Sequence, residues 1–230
     1  MSYVRYYKNI KMGADEKLHQ RVFDEFNQLA TNKNVSILIL ASGHGAFEQR
    51  LIDNGFLNIQ SIDIEDNYKA DNKNLIIKDL NKNFEDLKGS FDYIIAMEII
   101  EHLENQFHFV RNVEKLMNSS TVLFITTPNI NRKSLRLRFL LINEIEFFTE
   151  IDLHVSGHIN IIQDHVFKHN LELSKLTVFR ETYNRSYFSK SDFKSNGIRF
   201  QVFFVLYKLI SSFIPASDKV EKIYIIKKNI

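Results

Sequence analysis

The sequence predicts an α/β fold built as a doubly wound, mostly parallel sheet, with a cap inserted in its C-terminal half. Three observations predict it. Apolar runs of strand length alternate with stretches of helical periodicity up to Pro128, as successive βαβ units do. The conspicuous glycines and acids fall where those runs end, and open parallel sheets bind ligands at those ends. Beyond Pro128 the alternation loosens, and a long connection, residues 180–221, separates the last two strand-like runs; a connection of that kind is usually functional or forms an added cap.

The elements follow in order. Leu18, Val22, Phe23, Phe26 and Leu29 recur at spacings of three and four, so residues 14–30 read as an amphipathic helix. Residues 35–40 are a continuous apolar run, suited to a strand buried on both faces. A second helix runs through Phe47, Leu51 and Ile52 and stops at Asn54-Gly55, a pair that tolerates left-handed backbone. Residues 59–64, 75–77, 93–96 and 121–126 read as strands, and residues 101–117 as one helix. Later helices are expected over residues 134–141 and up to residue 170, with a final antiparallel pair of strands at 173–179 and 222–227.

Bulk composition narrows the function classes. The chain has 230 residues, enough for one domain with a full core, and 44% of them are hydrophobic. Thirty basic residues against 28 acidic ones give a net charge of +2, a balance that by itself argues neither for nor against a nucleic-acid partner; a small-molecule or sugar substrate is expected and nucleic acid is not. There are no cysteines, which excludes disulfides and thiolate zinc sites and fits a cytoplasmic location. The first eleven residues lack the apolar core of a secretory signal. Residues 200–215 form the longest apolar stretch, but Gln201, Lys208, Ser211 and Ser212 interrupt it, and a bilayer span needs about 20 apolar residues.

Gly43-His44-Gly45 joins the first buried strand to a helix start. Glycine lets the chain turn tightly there and lets a ligand approach the backbone, while the helix N-terminus offers free N–H groups. Asp63 ends the next strand, 18 residues past Gly45, where a carboxylate can accept both hydrogen bonds of a ribose diol. Asp79 ends the third strand, placed to reach an adenine amino group, with Leu80 against the base. The alternative for both acids is a solvated loop. A dinucleotide fingerprint would need a small residue at position 48, and Glu48 stands there, which argues against a nicotinamide-dependent oxidoreductase.

The run Ile37-Leu-Ile-Leu-Ala-Ser-Gly-His-Gly-Ala-Phe47 resembles the first S-adenosylmethionine (SAM) motif of class I methyltransferases. Ile62-Asp63-Ile64 resembles their second motif and Lys78-Asp79-Leu80-Asn81 their third. The segment from Phe91 through Met97 and Glu98 to Leu103 resembles the fourth, and Thr127-Pro128-Asn129 the loop after strand five. The resemblance implies a Rossmann-like, seven-stranded sheet and a SAM site made by Ala41, Gly43, Gly45, Asp63, Asp79, Leu80 and Met97. It implies one domain over residues 1–230, with a SAM-binding core at about 35–130 and substrate-cap insertions at about 131–160 and 181–221. Two positions depart from the family. Ile39 replaces an acid that helps hold the loop and the methionine ammonium, and Ala41 replaces a glycine, a small change provided φ is negative there.

Glu98, Glu101 and His102 stand at i, i+3 and i+4, which share one face of a helix. Two readings stand. The three side chains could hold a divalent ion such as Mg²⁺, with His154 or, preferred, His158 as a further ligand. Ubiquinone-pathway and small-RNA methyltransferases, which this segment resembles, bind a metal with such residues. Otherwise Glu98 caps a helix, and His102 or His158 serves as general base. Arg132, Lys133, Arg136 and Arg138 could grip a substrate phosphate, or simply form the charged face of an amphipathic helix. The segment from Ser134 to Leu141 resembles methyltransferases of bacterial surface-sugar assembly. Residues 200–214 are apolar nearly all round and are expected to be buried, as a cap over the pocket or a homodimer interface; the membrane is at most a peripheral partner. The resulting expectation is a SAM-dependent methyltransferase acting on a hydroxyl of a small-molecule or sugar substrate. The competing class is a non-catalytic scaffold that keeps the fold, motivated by Ile39 and Ala41.

Overall fold

The computed structural model describes residues 5–71, 74–184, 205, 207–209, 213 and 218–229. Its main feature is a seven-stranded sheet ordered β5-β4-β3-β6-β7-β9-β8, beside a two-stranded hairpin of β1 (Arg5–Tyr7) and β2 (Ile10–Met12). Strands β3 (Ile37–Leu40), β4 (Ile59–Asp63), β5 (Leu75–Ile77), β6 (Tyr93–Ala96) and β7 (Val122–Pro128) pair in parallel. β8 (Leu176–Tyr183) and β9 (Glu221–Lys228) close the sheet antiparallel, with a register shift between Val178 and Arg180 in β8. This is the doubly wound, mostly parallel sheet that the alternating runs predict.

Alternating side chains divide the core between the two faces. Ile37, Ile39, Ile95 and Phe124 pack against Leu18, Val22 and Phe26 of α1 (Glu16–Leu29) and against Phe47 and Leu51 of α2 (Ala46–Asp53). Leu38, Leu40, Ile94 and Leu123 pack against Phe109 and Val113 of α3 (Gln106–Leu116). The same layer takes Phe167 and Leu171 of α6 (Asp164–Leu173). Because both faces are covered, the central strands need apolar residues at every position, and β3, β6 and β7 are buried throughout. Leu40 pairs with Ala96, and Ala96 with Ile125. The ends of β3 and β6 are therefore level, with β7 running on to Pro128, and the order reverses between β3 and β6, the crevice where such sheets bind ligands.

The structure corrects several sequence expectations. Residues 101–117 do not form one helix: a 3-10 turn, Ile100–His102, is separated from α3. The Asn105 side chain accepts the His108 N–H at 3.0 Å and starts α3 afresh. The first cap segment holds α4 (Lys133–Ile142) and a short α5 (Glu150–Val155), the latter opened by a capping box of Thr149 and Asp152. Most of residues 181–221 and of the apolar stretch 200–214 lies outside the described residues. Within that stretch Tyr207 is buried, whereas Val205, Leu209 and Phe213, spaced by four, are exposed; burial on all sides does not hold for them, since one side packs and the other faces out. Among the described residues no helix is long and apolar enough to cross a membrane.

Candidate active site

The glycine loop begins where β3 ends. Ala41, Gly43 and Gly45 all have positive φ, +60°, +56° and +84°. The condition on Ala41 is thus not met: the alanine sits in left-handed backbone, where its Cβ crowds the following carbonyl. A Cβ on Gly43 would meet nothing within 4 Å, so there is open space above it. A Cβ on Gly45 would lie 2.9 Å from both Ala70 and the Tyr68 ring, so only glycine fits. Gly45 is also the N-cap of α2 and supplies no capping side chain, which leaves the first N–H groups of the helix available. A cradle of free N–H groups under open space fits the negatively charged and polar end of a bound cofactor.

Asp63 holds this loop. Its carboxylate accepts the Gly43 N–H at 2.7 Å and the Glu65 N–H at 3.1 Å. A carboxylate has about four acceptor directions, so capacity for a ribose remains. The acid absent at Ile39 has a neighbour that position-by-position reading did not supply. Ile39 pairs in register with Ser61, whose hydroxyl donates to the fully buried Glu48 at 3.0 Å. Burial pushes the Glu48 carboxyl up to about 8. Asp79 is half-buried after β5, accepting the Asn81 N–H at 2.9 Å, with Leu80 buried beside it in the core. Met97 is half-buried and leans on the layer of α1 and α2.

Glu98 follows β6 with φ +48°, which turns the chain out of the strand. Its N–H donates to the Thr126 hydroxyl oxygen at 3.0 Å, and that hydroxyl donates to Glu98 Oε1 at 2.8 Å. The 3-10 turn then directs Glu101 inward, fully buried, with neither carboxylate oxygen in a well-formed hydrogen bond. The Thr127 hydroxyl lies close enough to lower the Glu101 carboxyl slightly, but burial dominates and pushes it up to about 8. Burial, then the Glu101 and Glu221 carboxyls, hold Glu98 well above the usual carboxylate range.

The cap completes the cluster. The backbone carbonyl of Glu101 accepts the N–H groups of Ile159 at 3.0 Å and Asn160 at 2.9 Å. This brings the His158 ring to 4.7 Å from His102, edge to face. His158 Nδ1 lies 2.7 Å from the Phe147 carbonyl and His102 Nδ1 lies 3.2 Å from the Gly157 carbonyl. A carbonyl oxygen only accepts, so each Nδ1 carries a proton, and in the neutral ring Nε2 keeps the lone pair. Burial, and next the His158 ring, lower the pKa of His102, so it is neutral near pH 7.

One carboxylate oxygen of Glu101 and one ring nitrogen each of His102 and His158 lie within 4.8 Å of one another. Glu98 is outside this group and His154 is exposed on α5. Of the expected set of Glu98, Glu101, His102 and His158, the structure brings the last three together. The side chains meet through a turn and a cap loop, not along one helix face. Sequence reasoning missed Thr126, Glu221 and the Phe147 carbonyl. Only Thr126 carried a signal, as part of the Thr-Thr-Pro end of β7. Of the basic stretch, Arg132 is buried against Glu146 at 2.6 Å and Arg138 pairs with Glu144 at 2.6 Å, so two of the four cations are committed within the cap.

A methyltransferase-domain family model matches residues 14–181. The chain belongs to that family, and its sheet is the class I SAM-dependent methyltransferase sheet. It is similar to a ubiquinone biosynthesis O-methyltransferase of Rickettsia bellii, 27% identical over 124 residues, which are 50% of each chain. The chain thus spans about half the length of the curated relatives it matches. Among solved structures, a SAM-dependent methyltransferase from Archaeoglobus fulgidus superposes with a TM-score of 0.61 at 16% identity, covering 92% of this chain and 94% of the other. Magnesium protoporphyrin IX methyltransferase from Synechocystis with bound S-adenosylhomocysteine (SAH) gives 0.57 at 13%, covering 93% and 84%.

Proposed function

We propose that this protein transfers a methyl group from SAM to a hydroxyl on a small-molecule or sugar-type acceptor, with His158 taking the hydroxyl proton. The observation that carries this reading is the pair of imidazoles, each held at Nδ1 by a backbone carbonyl so that Nε2 is the nitrogen left for an acceptor, beyond the level ends of β3 and β6. Bound SAM supplies an electrophilic methyl on a sulfonium. The glycine loop and the α2 N-terminus would hold its amino-acid end, Asp63 its ribose, Asp79 and Leu80 its adenine, and Met97 the side near the acceptor. His158 binds the acceptor hydroxyl at Nε2 and receives its proton, while the cap excludes water and orients the acceptor. The similarity to an O-methyltransferase supports a hydroxyl acceptor.

A second reading is favoured by one observation: the three converging ligand atoms of Glu101, His102 and His158, with neither Glu101 oxygen in a well-formed hydrogen bond. Buried carboxylates without partners are costly unless a cation meets them. Two Nδ1–H groups fixed by carbonyls are also the usual support for metal-bound histidines. In that case a divalent ion would lower the acceptor hydroxyl's pKa, and two imidazoles with one carboxylate suit a transition metal better than the expected Mg²⁺.

SAH calorimetry with Mg²⁺ and with a chelator, followed by an acceptor screen with His158→Ala, tests both. Micromolar SAH binding and a turnover about 100-fold lower in the variant are expected. Absence of SAH binding would transfer the protein to the scaffold class. Turnover abolished by chelation would favour the metal reading.

A further inference from the structure

Arg132 is fully buried although it belongs to the basic stretch next to the Thr-Pro-Asn loop. Its guanidinium pairs with Glu146 at 2.6 Å, and its Cζ lies 5.0 Å from the Phe147 ring centre. Glu146 and Phe147 are consecutive, so one guanidinium grips the turn between α4 and α5 at two adjacent side chains. Phe147 itself has φ +74°, a conformation that a phenylalanine keeps only where its surroundings impose it. The carbonyl of that residue is the one 2.7 Å from His158 Nδ1.

We infer that Arg132 is a positioning residue for His158: by clamping Glu146 and Phe147 it aims the Phe147 carbonyl at Nδ1 and so fixes the imidazole with its Nε2 lone pair toward the acceptor. The chain of contacts is continuous, from guanidinium to Glu146 carboxylate and Phe147 ring, through the Phe147 backbone, to the histidine. Arginine suits the task because its planar fork can hold a carboxylate edge-on while stacking on an aromatic face. Lysine offers a single charged point and cannot do both. The inference deepens the proposal above and rests on its assignment of His158, but its test does not.

His102 provides the internal control, since its Nδ1 is held by the Gly157 carbonyl and not by Phe147. Nitrogen-15 NMR of the histidine rings in the whole apo chain distinguishes protonated from bare ring nitrogens. In the wild type, both His102 and His158 should show a protonated Nδ1 and a bare Nε2. Arg132→Met should turn His158 into a mixture of tautomers while leaving His102 as it was. Glu146→Gln, a near-isosteric change at a half-buried position, should do the same to a lesser degree, and it decides the matter if Arg132→Met does not fold. Turnover in Glu146→Gln should fall about 10-fold with unchanged SAH affinity, as when the partner orienting a functional histidine is lost. Unchanged His158 signals in the folded variants would overturn the inference, and so would equal disturbance of both rings, which would report general loosening. If instead His158→Ala left turnover unchanged while the tautomer shifted as expected, the assignment of the base would fail and the positioning link would stand.

Discussion

At the scale of single residues, two positions near the cofactor loop carry measurable strain. Ala41 occupies left-handed backbone, which costs an L-residue about 1–2 kcal/mol. Replacing it by glycine removes the Cβ conflict but adds freedom to the unfolded chain, so Ala41→Gly should stabilise by about 1 kcal/mol and raise Tm by about 2–4 °C in calorimetry. Glu48 acts through protons. Burial lifts its folded-state pKa to about 8 from the ordinary 4.5. Between those values the folded protein holds a proton that the unfolded chain has released, so stability falls as pH rises through this window. The slope is about 1.4 kcal/mol per pH unit for one such group. His19 titrates with the opposite sense, its burial lowering it to about 4, so it acts only below its ordinary value of 6.5. Urea melts between pH 6.5 and 8 therefore isolate the acids, and Glu48→Gln should remove about 1 kcal/mol per pH unit from the decline. Glu48 stood out in the sequence as the residue that breaks a dinucleotide fingerprint. Its burial against Ser61 was not legible, because which side chain crosses from a helix to a neighbouring strand depends on packing.

At the scale of elements, the turn between β6 and α3 decides the geometry of the site. Asn105 caps α3 and forces the break that keeps Glu101 and His102 in a 3-10 turn. Asn105→Ala should cost about 1 kcal/mol, seen as a lower urea midpoint, and should reduce turnover as Glu101 and His102 lose their fixed direction. Residues 101–117 read in the sequence as one uninterrupted helix, since a periodic pattern passes over a single cap. The residues that meet at the candidate site, Glu101, His102 and His158, are among those the sequence singles out. Glycines at a strand–helix junction and acids at strand ends are local signals. Glu98's separation from the Glu101–His102–His158 group was not legible, because it depends on a positive φ and on Thr126, 28 residues away.

At the scale of the whole molecule, the five parallel strands were readable because burial on two faces demands unbroken apolar runs. The antiparallel pair β8 and β9 was also visible, though three residues out of place at the start of β8. The β1–β2 hairpin and α5 were not, being too short to show a period. The cofactor site draws on β3, β4, β5 and β6, so binding should stabilise the sheet as a unit. SAH at a hundredfold excess over Kd should add about 2.7 kcal/mol, a Tm rise of about 5–10 °C. A rise confined to samples with divalent ions would tie cofactor and metal together.

The Glu101 carbonyl that accepts two successive amides has a consequence for how the segment around His158 opens. Ile159 and Asn160 are stitched to one carbonyl oxygen of the 3-10 turn, so peeling away this strip breaks both bonds together and releases His158 with them. Exchange of those two amide hydrogens with solvent deuterium should then report one shared opening free energy, that of this strip. An acceptor that binds with the strip closed would protect both equally, giving a way to find the substrate by the silence of two protons rather than by the appearance of a product.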